Sequence, residues 1–183
     1  MMFHEIAPKT LTENVFSLIG DRWMLITAGT PDHCNTMTAS WGGLGVLWRK
    51  PMATIYVRPQ RYTFGFIEQS DEFTLSFFGP QWKKALSYCG AVSGRDEDKF
   101  AACGFHVAAA GQAPYIQEAD LVLVCKKRYW NDLDPAHMDA EALQEYKAKD
   151  YHRMYLGEIT QVHPEVLYDL LEKDFLPIVC PIG

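Results

Sequence analysis

Hydrophobic and polar residues alternate with a period of two along most of this chain, the mark of strands that bury one face. Residues 23–30 and 35–43 read as the arms of a β-hairpin around the polar turn Pro31-Asp-His-Cys34. Residues 52–57 predict a third strand, broken by Arg58-Pro59. Residues 63–69 carry the apolar spacing of a short helix, with Thr63 or a near neighbour as its cap. Strand character resumes over 72–78. Two short helices are predicted over 80–88 and 96–103, separated by Cys89-Gly-Ala-Val-Ser-Gly94 and closed by Gly104. Residues 121–130 predict a strand, 141–149 a helix, and 154–162 a last strand ended by His163-Pro164.

At least six strands with short helices between them, and no regular strand–helix alternation, predict a closed antiparallel barrel with helical insertions rather than a doubly wound parallel sheet. Gly42, Gly43, Gly45 and Gly157 fall where strands must bend or where a flat ligand approaches the backbone. With 183 residues, 48% of them hydrophobic, and no internal repeat or linker, the chain predicts one domain over 1–183.

The net charge of −6, with basic residues scattered apart from Lys126-Lys-Arg128, argues against nucleic acid or an anionic membrane as the main partner. That cluster reads as the outward face and end of a strand, although it could also attract a nicotinamide phosphate. No apolar run approaches the ~20 residues of a membrane helix. Met1-Met-Phe-His-Glu5 lacks the basic start and apolar core of a signal peptide, so the cytoplasm is the expected compartment. Five irregularly spaced cysteines, Cys34, Cys89, Cys103, Cys125 and Cys180, make neither a disulfide framework nor a Cys-x-x-Cys knuckle. Cys89 and Cys103, with no paired motif or flanking cationic cluster, read as inert thiols. Six dispersed histidines give no metal-ligand pattern, and no metal is expected.

The candidate chemistry lies in two motifs, Asn35-Thr-Met-Thr-Ala-Ser-Trp41 and Arg58-Pro-Gln-Arg-Tyr-Thr63. Strand periodicity puts Thr36, Thr38 and Ser40 on one face, with Asn35, Met37, Ala39 and Trp41 on the other. A hydroxyl-bearing face must meet water, backbone or a polar ligand; taken alone, it is equally the solvent face of an edge strand. A dianionic phosphate is held best by free N–H groups at a helix start together with a guanidinium, and Arg61 leading into the Thr63 helix offers both. The plain alternative is that Arg58 and Arg61 pair on the surface with Glu68 or Asp71. Met37, Trp41 and nearby aromatic residues could form an apolar, π-rich wall. Trp41, Trp48, Trp82 and Trp130 could equally pack in the core or at a subunit interface.

At these residues the chain resembles the flavin reductase-like FMN-binding split-barrel family, most closely its flavoredoxin group. Four ordered landmarks carry the resemblance: Asn35-Thr-Met-Thr-Ala-Ser-Trp-Gly-Gly43, Arg58-Pro-Gln-Arg-Tyr-Thr63, Ser93-Gly-Arg-Asp-Glu-Asp-Lys-Phe100 and His152-Arg-Met-Tyr-Leu-Gly-Glu158. It implies a mainly β, Greek-key split barrel that forms a homodimer with FMN near the subunit interface. Asn35, Met37, Thr38, Ala39, Ser40 and Trp41 would then line the ribityl chain and isoalloxazine edge. Arg61, Tyr62 and Thr63, with Arg58 close by, would hold the phosphate. Lys99 matches a basic residue presented to the flavin tail, or is a solvated helix charge. His152 matches a histidine near the nicotinamide or flavin face, in a positional role, or is a hydrogen-bonded structural residue.

The implied function is an FMN-binding oxidoreductase, either a flavin reductase or a flavoredoxin-like electron carrier. NADH, NADPH or a redox partner protein would be its donor. Without a Gly-x-Gly-x-x-Gly fingerprint, any nicotinamide must dock on the flavin face itself. The alternative is a non-catalytic FMN-binding or flavin-sensing module on the same barrel. Residues 175–183, rich in apolar residues and proline, would strap the partner subunit.

Overall fold

A computed structural model describes residues 5–164. The strap at 175–183 and Cys180 lie outside the described residues. Nine strands follow one another: β1 (Met24–Thr30), β2 (His33–Ala39), β3 (Gly42–Leu47), β4 (Lys50–Val57), β5 (Glu72–Phe77), β6 (Val107–Ala110), β7 (Ala113–Ile116), β8 (Leu121–Asp132) and β9 (Arg153–Pro164). Four α-helices interrupt them: α1 (Tyr62–Gln69), α2 (Lys83–Ala91), α3 (Lys99–Cys103) and α4 (Ala140–Leu143).

Seven strands form one antiparallel sheet in the order β2-β1-β5-β8-β9-β4-β3, and β6-β7 form a separate ribbon. Its end strands, β2 and β3, are successive in sequence and meet at the corner Ser40-Trp41. The region read as one strand over 35–43 is therefore two strands with a turn in the middle. That corner takes the last two residues of the first candidate motif, Ser40 and Trp41, out of β2.

Period-two alternation sorts the side chains into two cores. Met24, Ile26, Met37, Ile55, Val57, Phe73, Leu75, Leu123, Tyr155 and Val162 point into one interior shared by six strands, the filling of a barrel. Leu25 and Val122, one residue out of phase, face outward and pack with Phe78, Leu86, Cys89, Phe105 and Ile116 beneath the helical insertion and β7. Gly157 answers to the interior and not to a ligand: a Cβ there would lie 2.6 Å from Phe73 Cζ.

Three strands lie outside the sequence reading: β6, β7 and most of β3. The Val-Ala-Ala-Ala run of β6 has no alternation and a single β-branched residue, and β3 is half glycine. The β3–β4 hairpin turns on Trp48 and Arg49, both left-handed at φ 52° and 61°, where asparagine and glycine are usual. Lys127 is half-buried and Arg128 exposed, and both have partners. Lys127 Nζ donates to the carbonyls of Ile67 and Glu68 at the end of α1, and Arg128 pairs with Glu158.

Candidate functional site

The two motifs meet along one groove on the outside of the barrel. Its narrower part, about 160 Å³, is lined by Met37, Thr38, Ala39, Ser40, Trp41, Tyr56, Arg58, Arg61 and His152. Its wider part, about 280 Å³, shares Met37 and Arg61 and continues along Tyr62, Thr63, residues 91–95 and Lys99. Asn35 stands behind this wall, buried, with Nδ2 donating to Thr63 Oγ1 at 2.7 Å and to the Thr36 carbonyl at 3.2 Å. A larger hollow of about 520 Å³ opens beyond Tyr62 and Gly94; Arg95 and Lys99 line it, but so do four carboxylates, Asp32, Asp96, Glu97 and Asp98, which makes it the less favourable end for a phosphate.

The wider end is built to meet an anion. Proline at position 59 breaks β4's course, and the chain enters α1 with Arg61 at the cap position and no side-chain cap. Thr63 is thus not the cap; its hydroxyl is taken by Asn35. The backbone N–H groups of Tyr62 and Thr63 have no acceptor among the described residues. Arg61 donates from Nη1 to the Gly90 carbonyl at 3.1 Å and forms no ion pair among the described residues. Arg58, by contrast, is held by Asp150 at 2.5 Å and by the Glu145 carbonyl at 3.1 Å, with its guanidinium over the Tyr146 ring. Neither arginine pairs with Glu68, which serves Arg153 and Tyr155.

Lys99 is buried, only 4% exposed, so the solvated-charge reading is excluded. Its Nζ donates to the carbonyls of Thr36 (3.0 Å) and Cys89 (2.8 Å), and no carboxylate joins it among the described residues. Burial lowers its pKa, partly offset by the neighbouring thiols. The loop before it contributes side chains and backbone of its own. Ser93, Gly94 and Arg95 line the groove, and Arg95 sits over the Tyr62 ring at 4.9 Å. The Ser-Gly turn just after a predicted helix was the available signal.

Two of the three hydroxyls on that face, those of Thr36 and Thr38, find partners inside the protein, while Ser40 lines the groove. Thr36 Oγ1 accepts from Thr27 Oγ1 and donates to the Ile26 carbonyl, while Thr38 Oγ1 donates to the Leu86 carbonyl at 2.5 Å, tying β2 to α2. At the narrower end Trp41, 43% exposed, lies 5.0 Å from the His152 ring. His152 is buried, with Nδ1 hydrogen-bonded to Tyr146 Oη at 2.9 Å and Tyr56 edge-on at 6.5 Å. Burial, reinforced by the Arg58 guanidinium, pulls its pKa down to about 4, so the imidazole is neutral at pH 7. Tyr56 and Tyr146 belong to this end and were missed, because neither falls in a motif.

The family model described as "Flavin reductase like domain" matches residues 16–170. The chain belongs to that family. The likeness extends to solved structures of flavin reductase-like proteins at the level of the fold. Flavoredoxin of Desulfovibrio vulgaris superposes with a TM-score of 0.63 at 23% identity, covering 90% of this chain and 77% of the other. An FMN-binding domain of a flavin reductase-like enzyme from Shewanella baltica gives 0.65 at 18%, covering 90% and 78%. An NADH:FAD oxidoreductase of Streptomyces globisporus gives 0.59 at 19%, covering 78% and 73%. This flavin reductase-like domain is accordingly a split barrel. The chain spans only 15% of the length of the curated relatives it matches, acetylglutamate kinases of Campylobacter jejuni, at 50% identity over 42 residues, 23% of this chain. A segment so short shows neither their fold nor their activity here. Among the described residues no helix is long and apolar enough to cross a membrane.

Proposed function

We propose that this domain binds FMN in the groove and works as an oxidoreductase, taking hydride from NADH or NADPH, or electrons from a protein donor. The observation that carries the reading is the polarity of the groove: free N–H groups and unpaired cations at one end, aromatic rings and a neutral imidazole at the other. The donor set fits the cofactor. Arg61 and the N–H groups of Tyr62 and Thr63 suit a phosphate, with Lys99 adding charge from the floor. Met37 and Trp41 suit the flat edge of an isoalloxazine. Bound there, FMN would supply a hydride acceptor that can also pass electrons on singly.

The chain's own residues hold and orient. His152, neutral and fixed by Tyr146, cannot act as an imidazolium acid at pH 7; it sets the tautomer-dependent hydrogen bond offered into the narrower end. Arg58, anchored by Asp150, lends positive potential without a free fork. The working unit is a homodimer, supported by the exposed Val46, Leu47, Trp48, Tyr129 and Trp130 on the β8-β9-β4-β3 half of the sheet. Four unpaired cysteines among the described residues favour a reducing compartment, the cytoplasm.

Titration of FMN with the purified protein, followed by flavin fluorescence, tests the binding; unquenched fluorescence at micromolar protein refutes it. Stopped-flow mixing of the FMN-loaded protein with NADH and NADPH then tests the reaction. Bleaching well above the free-flavin rate supports the reductase. No bleaching with either donor, while FMN stays bound, leaves the protein-donor carrier and refutes the nicotinamide reaction.

A further inference from the structure

Cys89 and Cys103 are fourteen residues apart in sequence, yet their Sγ atoms lie 3.7 Å from each other. Cys89 sits on α2, 1% exposed, and Cys103 ends α3, half-buried. They are the one pair of thiols in hydrogen-bonding contact among the described residues. A disulfide needs its sulfurs at roughly 2.05 Å. That closure is within reach of side-chain rotation and a small shift of α3, a helix of five residues.

We propose that Cys89 and Cys103 are a thiol-modification site, closing to a reversible disulfide by exchange with a low-molecular-weight disulfide of the glutathione class. Access orders the steps. The Cys103 thiolate attacks one sulfur of the small disulfide, forming a mixed disulfide and expelling the first thiolate, which takes a proton from water. Cys89 Sγ then attacks Cys103 Sγ, forming the internal bond and breaking the mixed one. The second thiolate leaves with the proton that Cys89 gives up. Two protein thiols are oxidised and one small disulfide is reduced to two thiols; excess thiol reverses the sequence. Burial pushes the Cys89 thiol up to about 12, so it is the resolving and not the entering thiol, with the Lys99 ammonium on its own carbonyl the nearest cation to oppose that shift.

The ring so closed contains residues 90–102, among them Ser93, Gly94, Arg95 and Lys99, which line the wider end of the groove. Oxidation would pin that loop at both ends. In the reduced chain it is held by non-covalent contacts alone, among them the bonds of Lys99 to the Thr36 and Cys89 carbonyls and of Arg95 to the Gln60 carbonyl.

The experiment uses the full chain, fully reduced and then exposed anaerobically to excess oxidised glutathione. Titration of thiols after denaturation should fall from five to three. Trypsin should release residues 85–95 joined to the peptide that holds Cys103, with no retained glutathione, and dithiothreitol should separate them. A second cut at Glu118 distinguishes Cys103 from Cys125, which share one tryptic peptide. In the Cys103→Ser variant, and independently in Cys89→Ala, the linked peptide should vanish, and Cys89→Ala should retain a glutathione adduct on Cys103. Five thiols left in the wild type, an adduct on Cys103 that does not resolve there, or a link through Cys34 or Cys125 would each overturn the proposal.

Discussion

Gly94 occupies a place where a methyl group has no room. A Cβ built on it would lie 2.0 Å from Asn35 Oδ1 and 3.0 Å from Tyr62 Cδ1. Asn35 cannot swing aside freely, because its amide is buried and donates to Thr63 Oγ1 and to the Thr36 carbonyl. The Gly94→Ala change must therefore either displace the 93–95 loop or turn the Asn35 amide and lose both hydrogen bonds. At about 1 kcal/mol per bond the second route costs about 2 kcal/mol. For a domain of this size that lowers the melting temperature by roughly 4–8 °C. Thermal unfolding followed by circular dichroism reads this directly, and urea midpoints give the same difference at fixed temperature. The Asn35→Ala/Gly94→Ala double variant locates the cause, since without the Asn35 amide the added methyl gains space and the double should be no less stable than Asn35→Ala alone. A Gly94→Ala protein melting within about 1 °C of the wild type would refute the packing argument.

Three further outcomes are expected. Arg61→Ala should weaken FMN binding by about 1.5–3 kcal/mol, the worth of a hydrogen bond to a charged group; equilibrium titration checks it, and an unchanged affinity would remove Arg61 from the phosphate site. Because His152 is held near pKa 4 against 6.5 when free, the unfolded chain takes up a proton that the folded chain refuses, so stability should fall as pH drops from about 6.5 to about 4, by at most about 3 kcal/mol. Burial shifts His163 the same way, and a His152→Asn variant with unchanged acid sensitivity in urea would show that His152 is not the source. Replacing the left-handed pair by Trp48→Asn with Arg49→Gly should stabilise the folded chain by about 1–2 kcal/mol, read by urea unfolding; if the proposed homodimer uses exposed Trp48, light scattering at matched concentrations should also show more monomer.

The strands that alternate cleanly were legible because one face of each fills the barrel and the other does not. β1, β5 and β8 keep to the sequence reading within two residues, except that β8 starts a bulge after Val124 that no periodicity announces. The corner at Ser40-Trp41 was hidden because Thr36, Thr38 and Ser40 look like an uninterrupted strand face. Only the pairing of β2 with β1 and of β3 with β4 shows the break. Motif reading found the residues around the groove that belong to contiguous patterns. It missed Tyr56, which lines the groove's narrower end, and Tyr146, which holds His152 from behind, both brought there by tertiary packing, and it left open whether Lys99 was solvated. The contact between Cys89 and Cys103 was invisible for the same reason: the turn between α2 and α3, not any spacing rule, sets it.

The groove's charge follows from which cations are already neutralised. In a chain of net charge −6, most basic side chains near the barrel have an acid partner: Arg153 with Asp132 and Glu68, Arg128 and Lys50 with Glu158, Arg58 with Asp150. Arg61 and Lys99 have none among the described residues, and both line the same end of the same groove. A buried ammonium held only by carbonyl dipoles costs desolvation that an apolar side chain of equal length would avoid. Lys99→Met should therefore leave stability at neutral pH within about 1 kcal/mol of the wild type or raise it, while an anion in the groove binds more weakly. Because Lys99 is enclosed, salt should screen its share of that affinity less than the share carried by the exposed Arg61. The salt dependence of FMN affinity should accordingly fall in Arg61→Ala, where exposed Arg95 still lines the groove, and be kept in Lys99→Met. The reverse pattern would mean that the floor of the groove is open to water and that Lys99 is not its fixed charge.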